Sequence, residues 1–518
     1  MSIETYKNII GDRALHNMLL QTLSVLLLFL GGYIPLRIIK GKMSASRRLL
    51  LSYPLGISLF SVSGLLLLIT GIRFDLKDVI IVWGIIIIGV IVYRRTLGKD
   101  KRLDPGGDDV VNINPKSVLV PIVIIGFALL SCSGLIPQIV SNDSVYYYSV
   151  YPSILSSEGY LSASLDKFLT DVGQATAVLE SLPFLMGFDE SFGIQHFLNF
   201  NFIALFFAAV YEASEGKDGE ESGFNKGRIL FAAAVTLFLL TSEPFVVMST
   251  WILSNAYYME LMFIAFFLIY RWNREKEPAP DYDFTLFFII AMLTMCRMEG
   301  GVMVTVMTAA ASTLPIKKGR LIKLFWVPLA VLITGYYVNL FLKMGVNPLY
   351  SFLDIKSALL MGMMILVLLV YIILIRGKLP APYLAPIILG ALTAGNFLLL
   401  LVNHERYITN LRAFISNIRA GNGWGIFFIM ILIYTGLFIY ECIRRRFRNL
   451  PFRAFFPAAI ALTVIAVCFA RGGVLAVRTS DSGNRVLMEL TPVIIFSVAA
   501  FFAESRREKD IEDAGRDE

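Results

Sequence analysis

Apolar runs of 14–23 residues, most of them about the length an α-helix needs to cross a bilayer, recur along the whole of this chain. They fall at 17–38, 49–71, 78–93, 118–137, 193–211, 228–242, 255–271, 284–297, 300–314, 324–342, 357–376, 382–402, 424–441, 454–470 and 486–503. That is about fifteen spans, or about thirteen if the shortest are re-entrant or interfacial pieces. Polar residues gather between the runs, so the pattern predicts an all-α polytopic membrane protein with 13–15 transmembrane helices. One interruption differs from the rest. The stretch 138–192 carries Asp143, Glu158, Asp166, Asp171, Glu180, Asp189 and Glu190 against a single basic residue, Lys167. A segment so long and acidic belongs at an aqueous surface. Within it, Val145–Leu155 and Ala175–Phe188 have rough helical apolar stripes and are expected to lie along the interface.

Composition narrows the class. With 57% hydrophobic residues, 16% charged and a mean hydropathy of +0.70, 518 residues do not form one soluble core. Met1–His16 is polar, shows no small-residue cleavage site and runs into a full-length span, which reads as an uncleaved first helix. Cys132, Cys296, Cys442 and Cys468 are scattered without paired spacing, so neither a disulfide framework nor a cysteine metal site is expected. The net charge of +7 resides in loops, where it orients helices and implies no nucleic acid partner. Arg37–Arg48, Lys317–Lys323 and Arg444–Arg453 are basic clusters, and threading them through the spans puts all three on one side with the C-terminus. By the positive-inside rule that side is the cytoplasm, and 138–192 is external. The chain divides into N-terminal helices (1–117), a transmembrane core with its external loop (118–503) and a charged cytoplasmic tail (504–518).

The candidate chemistry lies on the external side. Asp143 sits about six residues past the end of a span, close to the membrane surface; it is equally a helix N-cap within Asn142-Asp143-Ser144. Tyr146 and Tyr147 follow it, as interfacial anchors or as acceptor and lipid contacts. Glu260 stands about one turn inside an apolar run, where an ionisable group is costly and points by default to function. Arg297 and Glu299 share an outer turn and could pair with each other. Arg297, Arg406, Arg412, Arg419, Arg471, Arg478 and Arg485 are all external, against the usual bias, and such a set suits bidentate capture of a lipid-linked phosphate. Arg478 and Arg485 flank the small, polar Thr479–Asn484 loop. His404 is the only histidine near these arginines, and an interfacial role is the commoner one for such a residue.

Taken together, these features resemble the GT-C superfamily of multi-spanning glycosyltransferases, of the protein-mannosyltransferase and aminoarabinose-transferase kind. The likeness rests on Asn142-Asp143-Ser144-Val145-Tyr146-Tyr147 in the first long external loop and on Ser242-Glu243-Pro244 followed by Glu260. It rests also on Asn484-Arg485-Val486-Leu487-Met488-Glu489-Leu490-Thr491-Pro492 at the last span. Asn142 and Ser144 stand where the family commonly has a second acid, and Val486 where an aromatic is common. The resemblance implies transfer of a sugar from a polyprenyl-phosphate donor to a glycan, lipid or protein acceptor on the outer face of a cytoplasmic membrane, with inversion at the anomeric carbon. Asp143 would be the general base, with Glu260 orienting the acceptor or sharing a cation. Arg485, Arg478 and Arg297 would hold the donor phosphate, and Tyr146, Tyr147, His404 and Arg406 would contact acceptor or lipid. Some members use a divalent cation, Mg or Mn; no ligand set stands out here. Two other readings stay open: a transporter or flippase for a lipid-linked saccharide, and an O-antigen-type polymerase or ligase.

Overall fold

The computed structural model describes residues 3–39, 43–97, 149–161, 174–187, 193–214, 226–251, 254–272, 279–297, 299–344, 355–376, 378–379, 381–470 and 474–514. Asp143, Tyr146, Tyr147, Arg471 and the span at 118–137 lie outside these residues. Among the described residues the structure is helical, with no strand ladder. In chain order the helices are α1 (Ile3–Ile39), α2 (Ala45–Thr70), α3 (Leu76–Leu97), α4 (Tyr151–Glu158), α5 (Gln174–Leu185), α6 (Gly193–Ala213) and α7 (Lys226–Thr241). Next come α8 (Glu243–Thr250), α9 (Ser254–Trp272), α10 (Pro280–Cys296) and α11 (Gly300–Ala311). Two helices contain wider π turns: α12 (318–344) at Ile322–Trp326, and α13 (355–375) at Tyr371–Ile375. The rest are α14 (Ala381–Val402), α15 (His404–Arg419), α16 (Phe427–Arg444), α17 (Phe452–Ala470), α18 (Ser482–Met488) and α19 (Thr491–Ala514).

Among the described residues nine helices are long and apolar enough to cross a membrane, or ten if α7 and α8, bent by 64° at their junction, form one span. Of the fifteen expected spans, 118–137 falls outside these residues, and several of the other apolar runs fold as shorter or more polar helices. Helix α9 carries Ser254, Asn255, Glu260 and Arg271, while α10 and α11 have 17 and 12 residues. Exposure sorts the remainder. Leu359, Met363 and Leu366 on α13 and Leu398 on α14 face outward, as lipid-facing side chains do, whereas α2 and α9 are enclosed.

Two close approaches fix the bundle. Helices α1 and α2 cross at Gly32 and Gly56, where a methyl group on either would overlap the backbone of the other helix, at Ser52 or Leu28 respectively. Deeper in, Phe202, Phe206, Phe245, Phe263, Phe266 and Phe496 form a contiguous aromatic core, with ring centroids such as Phe206–Phe263 at 5.0 Å.

The helix at 174–185 departs from expectation. Gln174 to Pro183 of α5 are all buried, Glu180 included, so this helix packs inside the bundle instead of lying along an interface. Its polar side chains Gln174, Thr176, Glu180 and Ser181 are as buried as its apolar ones, so the helix is enclosed on all sides. The described part of the preceding segment, α4, is amphipathic as expected: Pro152 and Leu155 are buried, and Ser157 and Glu158 are exposed.

The basic clusters do share one end of the bundle. Arg47 and Arg271 both pair with Glu212, at 2.9 and 2.8 Å. The Met43 amide donates to Asp281 at 2.8 Å, and Arg320 pairs with Asp283 beneath the Trp272 ring. Arg453 pairs with Glu504 at 3.0 Å and with Glu441 at 3.3 Å. Arg47 and Arg271 thus share the carboxylate of Glu212.

Candidate functional site

At the opposite end, charged side chains from distant segments meet. Helix α10 stops at Cys296, and Gly300 opens α11 three residues after Arg297. A side chain at Gly300 would overlap the Leu293 carbonyl, so only glycine permits this turn. The turn carries Arg297 and Glu299 inward. Arg297 Nε lies 2.5 Å from Glu299 Oε1 and 3.4 Å from Glu489 Oε1, and its Nη1 donates to Ser254 Oγ at 3.3 Å. Asn255 Nδ2 donates to the same Glu489 oxygen at 2.6 Å. Glu299 and Glu489 are both buried, and the local pairing of Arg297 with Glu299 is realised.

Arg485 joins this cluster from α18. It is buried, acts electrostatically on Glu489, and its guanidinium carbon lies 6.0 Å from the centroid of the Trp251 ring. Two arginines thus balance two carboxylates in a site shielded from solvent, where each charge counts for more than at a surface. Arg478 is exposed on the loop just before α18.

That loop is built, not slack. Asp481 caps α18 by accepting from the Gly483 and Asn484 amides at 2.9 and 3.1 Å, and its other oxygen accepts from the Ala476 amide at 3.1 Å. Asn410 and Asn417, seven residues apart on the buried face of α15, hold the same strand of chain. Asn410 accepts from the Leu475 amide at 2.7 Å, and Asn417 donates to the Ala476 carbonyl at 3.0 Å. Asn484 accepts from the buried Trp424 indole at 2.7 Å and donates to the Asn422 carbonyl at 3.0 Å. The glycine turn 421–425 closes on Glu243, which accepts from the Gly423 amide at 3.1 Å. Glu243, Trp424, Asn484 and the Arg297 cluster therefore belong to one continuous polar layer.

The other sequence candidates are placed as follows. His404 begins α15 and is exposed, Arg406 is half-buried, and Arg412 and Arg419 are exposed on the same helix. Helix α15 was not foreseen as a helix, and its strongly amphipathic spacing is the signal that could have revealed it. Glu260 is fully buried but does not join Arg297 and Arg485. At about 100° per residue, it lies roughly 140° around α9 from Asn255 and 160° from Tyr258, the residues that face the arginines. Its neighbours are different: Tyr257 interacts electrostatically with Glu260, Glu180 and Tyr53, and donates a short hydrogen bond to Glu180.

Glu489 is the central residue that sequence reasoning passed over. It sits at the head of an apolar run, as conspicuous there as Glu260 in its own, and the same cost argument applies to it. Among the described residues no group of three or more His, Cys, Asp or Glu side chains is arranged to hold a metal ion. Comparison with protein-family models, with curated proteins and with solved structures finds no match to this chain.

Proposed function

We propose that the protein is an integral membrane glycosyltransferase that moves a sugar from a polyprenyl-phosphate donor to an acceptor hydroxyl, at the end of the bundle where Arg297 and Arg485 meet. One observation supports this above all: two of the three arginines singled out for the donor phosphate converge on Glu489, under a loop that displays the third, Arg478. In this reading Arg485 and Arg478 hold the phosphate, while Arg297 is kept in place by Glu299 and Glu489. The anomeric carbon–oxygen bond to the lipid phosphate breaks as the acceptor oxygen attacks from the opposite face. Asp143 takes the acceptor proton, and the arginines offset the negative charge left on the lipid phosphate.

The test is consumption of polyprenyl-phosphate-linked sugars by purified protein in nanodiscs, comparing wild type with Asp143→Asn and Arg485→Ala. Wild-type turnover, lost by at least a hundredfold in Asp143→Asn and with weakened donor binding in Arg485→Ala, is the expected result. Full activity in both variants would overturn the assignment. A flippase is the second reading, and the bent pair α7–α8 favours it, because broken helices mark the substrate and ion sites of many transporters. It predicts donor crossing the bilayer without being consumed.

A further inference from the structure

Helices α6, α8 and α9 share a repeated pattern. On each, a phenylalanine is followed, one turn toward the Arg297 end, by a polar side chain: Phe202 by Asn199, Phe245 by Ser249, Phe263 by Glu260. The three rings touch, Phe202 stacking on Phe245 at 5.9 Å and meeting Phe263 edge-on at 5.5 Å. Phe206 also meets Phe263, so the 202/206 side of α6 faces Phe263 on α9, with Asn199 and Glu260 each one turn further along its own helix. The phenylalanines form an apolar floor, and the polar residues lie directly above it.

The oxygens above that floor are buried and unsatisfied. Gln195 and Asn199 both donate through their amide nitrogens to the carbonyl end of α8, at Ser249 and Trp251, with distances from 2.7 to 3.3 Å. Among the described residues their carbonyl oxygens find no hydrogen-bond partner; nor do Ser249 Oγ or either carboxylate oxygen of Glu260. Gln195, Asn199, Ser249 and Glu260 are each at most 1% exposed. Among the described residues no basic side chain acts on Glu260. Leaving one buried polar atom unpaired costs about 1–3 kcal/mol, and a buried lone charge costs more. The touching rings set these turns of α6, α8 and α9 side by side, and unpartnered oxygens on three adjoining helices call for something positive between them. The carbonyl end of α8 adds the negative pole of its dipole, the arrangement by which broken helices hold cations.

We propose that α6, α8 and α9 enclose a binding site for a single monovalent metal cation, Na+ in the first instance, with Glu260 as its one charged ligand. Gln195, Asn199 and Ser249 supply neutral oxygens. One carboxylate with uncharged donors balances one positive charge, whereas a divalent ion would leave an excess charge in an apolar surround. The site is distinct from the Arg297 cluster, since Glu260 projects from the other side of α9, and it does not depend on the glycosyltransferase reading.

The test uses the full chain in nanodiscs, with thermal unfolding followed in NaCl, KCl, choline chloride and MgCl2 at matched ionic strength, alongside direct 22Na+ binding. The expected result is a melting temperature raised by a few degrees in Na+ over choline, saturating with concentration. Saturable 22Na+ binding at one ion per chain is expected with it. Glu260→Gln and Asn199→Leu should each abolish both signals. Asn199→Leu also guards against a Glu260→Gln protein that fails to fold, because it leaves the carboxyl in place. No difference between Na+ and choline, a response to Mg2+ alone, or retained binding in Glu260→Gln would each overturn the proposal. A Glu260 that is simply protonated gives the first of these outcomes.

Discussion

Removing Arg297 tests whether the ion cluster is organised as described. The guanidinium contacts both Glu299 and Glu489, at 2.5 and 3.4 Å, and both carboxylates are at most 7% exposed. Arg297→Met keeps most of the side-chain volume but leaves two buried carboxylates facing each other with Arg485 as the remaining counter-charge. Breaking a buried ion pair from one side costs about 3–5 kcal/mol, most of it the desolvation of the charge left behind. Glu489→Gln should be milder. The glutamine oxygen still accepts from Asn255 and Arg297 keeps Glu299 as its partner, so the loss is confined to the attraction of Glu489 for Arg297 and Arg485, about 1–3 kcal/mol. Combining the two changes removes one of the two stranded carboxylates, and the double variant should recover part of the loss seen in Arg297→Met. Melting temperatures of the three variants in one detergent measure this order, with the double-mutant cycle giving the coupling. If Arg297→Met melts no lower than Glu489→Gln, or the double variant is the plain sum of the singles, the cluster does not hold the helix ends together and the argument fails.

Two further substitutions probe the scaffold around the site. Gly300→Ala should lower the melting temperature, at about 1–3 kcal/mol, because its methyl group meets the Leu293 and Thr294 carbonyls, whereas Gly390→Ala has open space around it and should be neutral or slightly stabilising; equal effects would show that the α10–α11 turn is not tight. Asn417→Leu strands the Ala476 carbonyl and should cost about 1–3 kcal/mol, with faster amide exchange at 475 and 476 and no change in α1 or α2; unaltered exchange there would mean that α15 does not anchor the loop.

The class of fold was legible because the hydrophobic pattern of a membrane helix is set by the solvent, one window at a time. The shared end of the basic clusters was legible for a similar reason: Arg47, Arg320 and Arg453 follow from counting spans, and their ion pairs with Glu212, Asp283 and Glu504 lie together. What was not legible depends on which side of a buried helix faces which neighbour. Hydropathy alone gives α5 the look of an interfacial helix, since Glu180 and the small polar residues around it read as exposed; only packing shows them enclosed. The same limit separates Glu260 from Arg297. Both belong to the external half of the bundle in the sequence reading, and only the depth and rotation of Glu260 on α9 show that they serve different regions. Glu489 and Asn255 form a pair 234 residues apart, which no local pattern encodes.

Helix α8 connects the two polar regions. Its last turn presents the Ser249 and Trp251 carbonyls to Gln195 and Asn199 on one side, while the Trp251 ring receives Arg485 on the other. Helix α8 leaves the line of α7 by a bend of 64°, and its last turn reaches α6. A cation drawn to the carbonyl end of α8 would therefore fix the backbone that carries Trp251, and through it the position of Arg485. Trp251 is thus shared by the two regions, its carbonyl accepting from Gln195 and its ring lying against Arg485. That sharing fits either reading of function: an enzyme gains a rigid base for the arginine that meets its donor, and a flippase gains a link between ion and substrate. Only the fate of the donor, consumed or carried across, separates them.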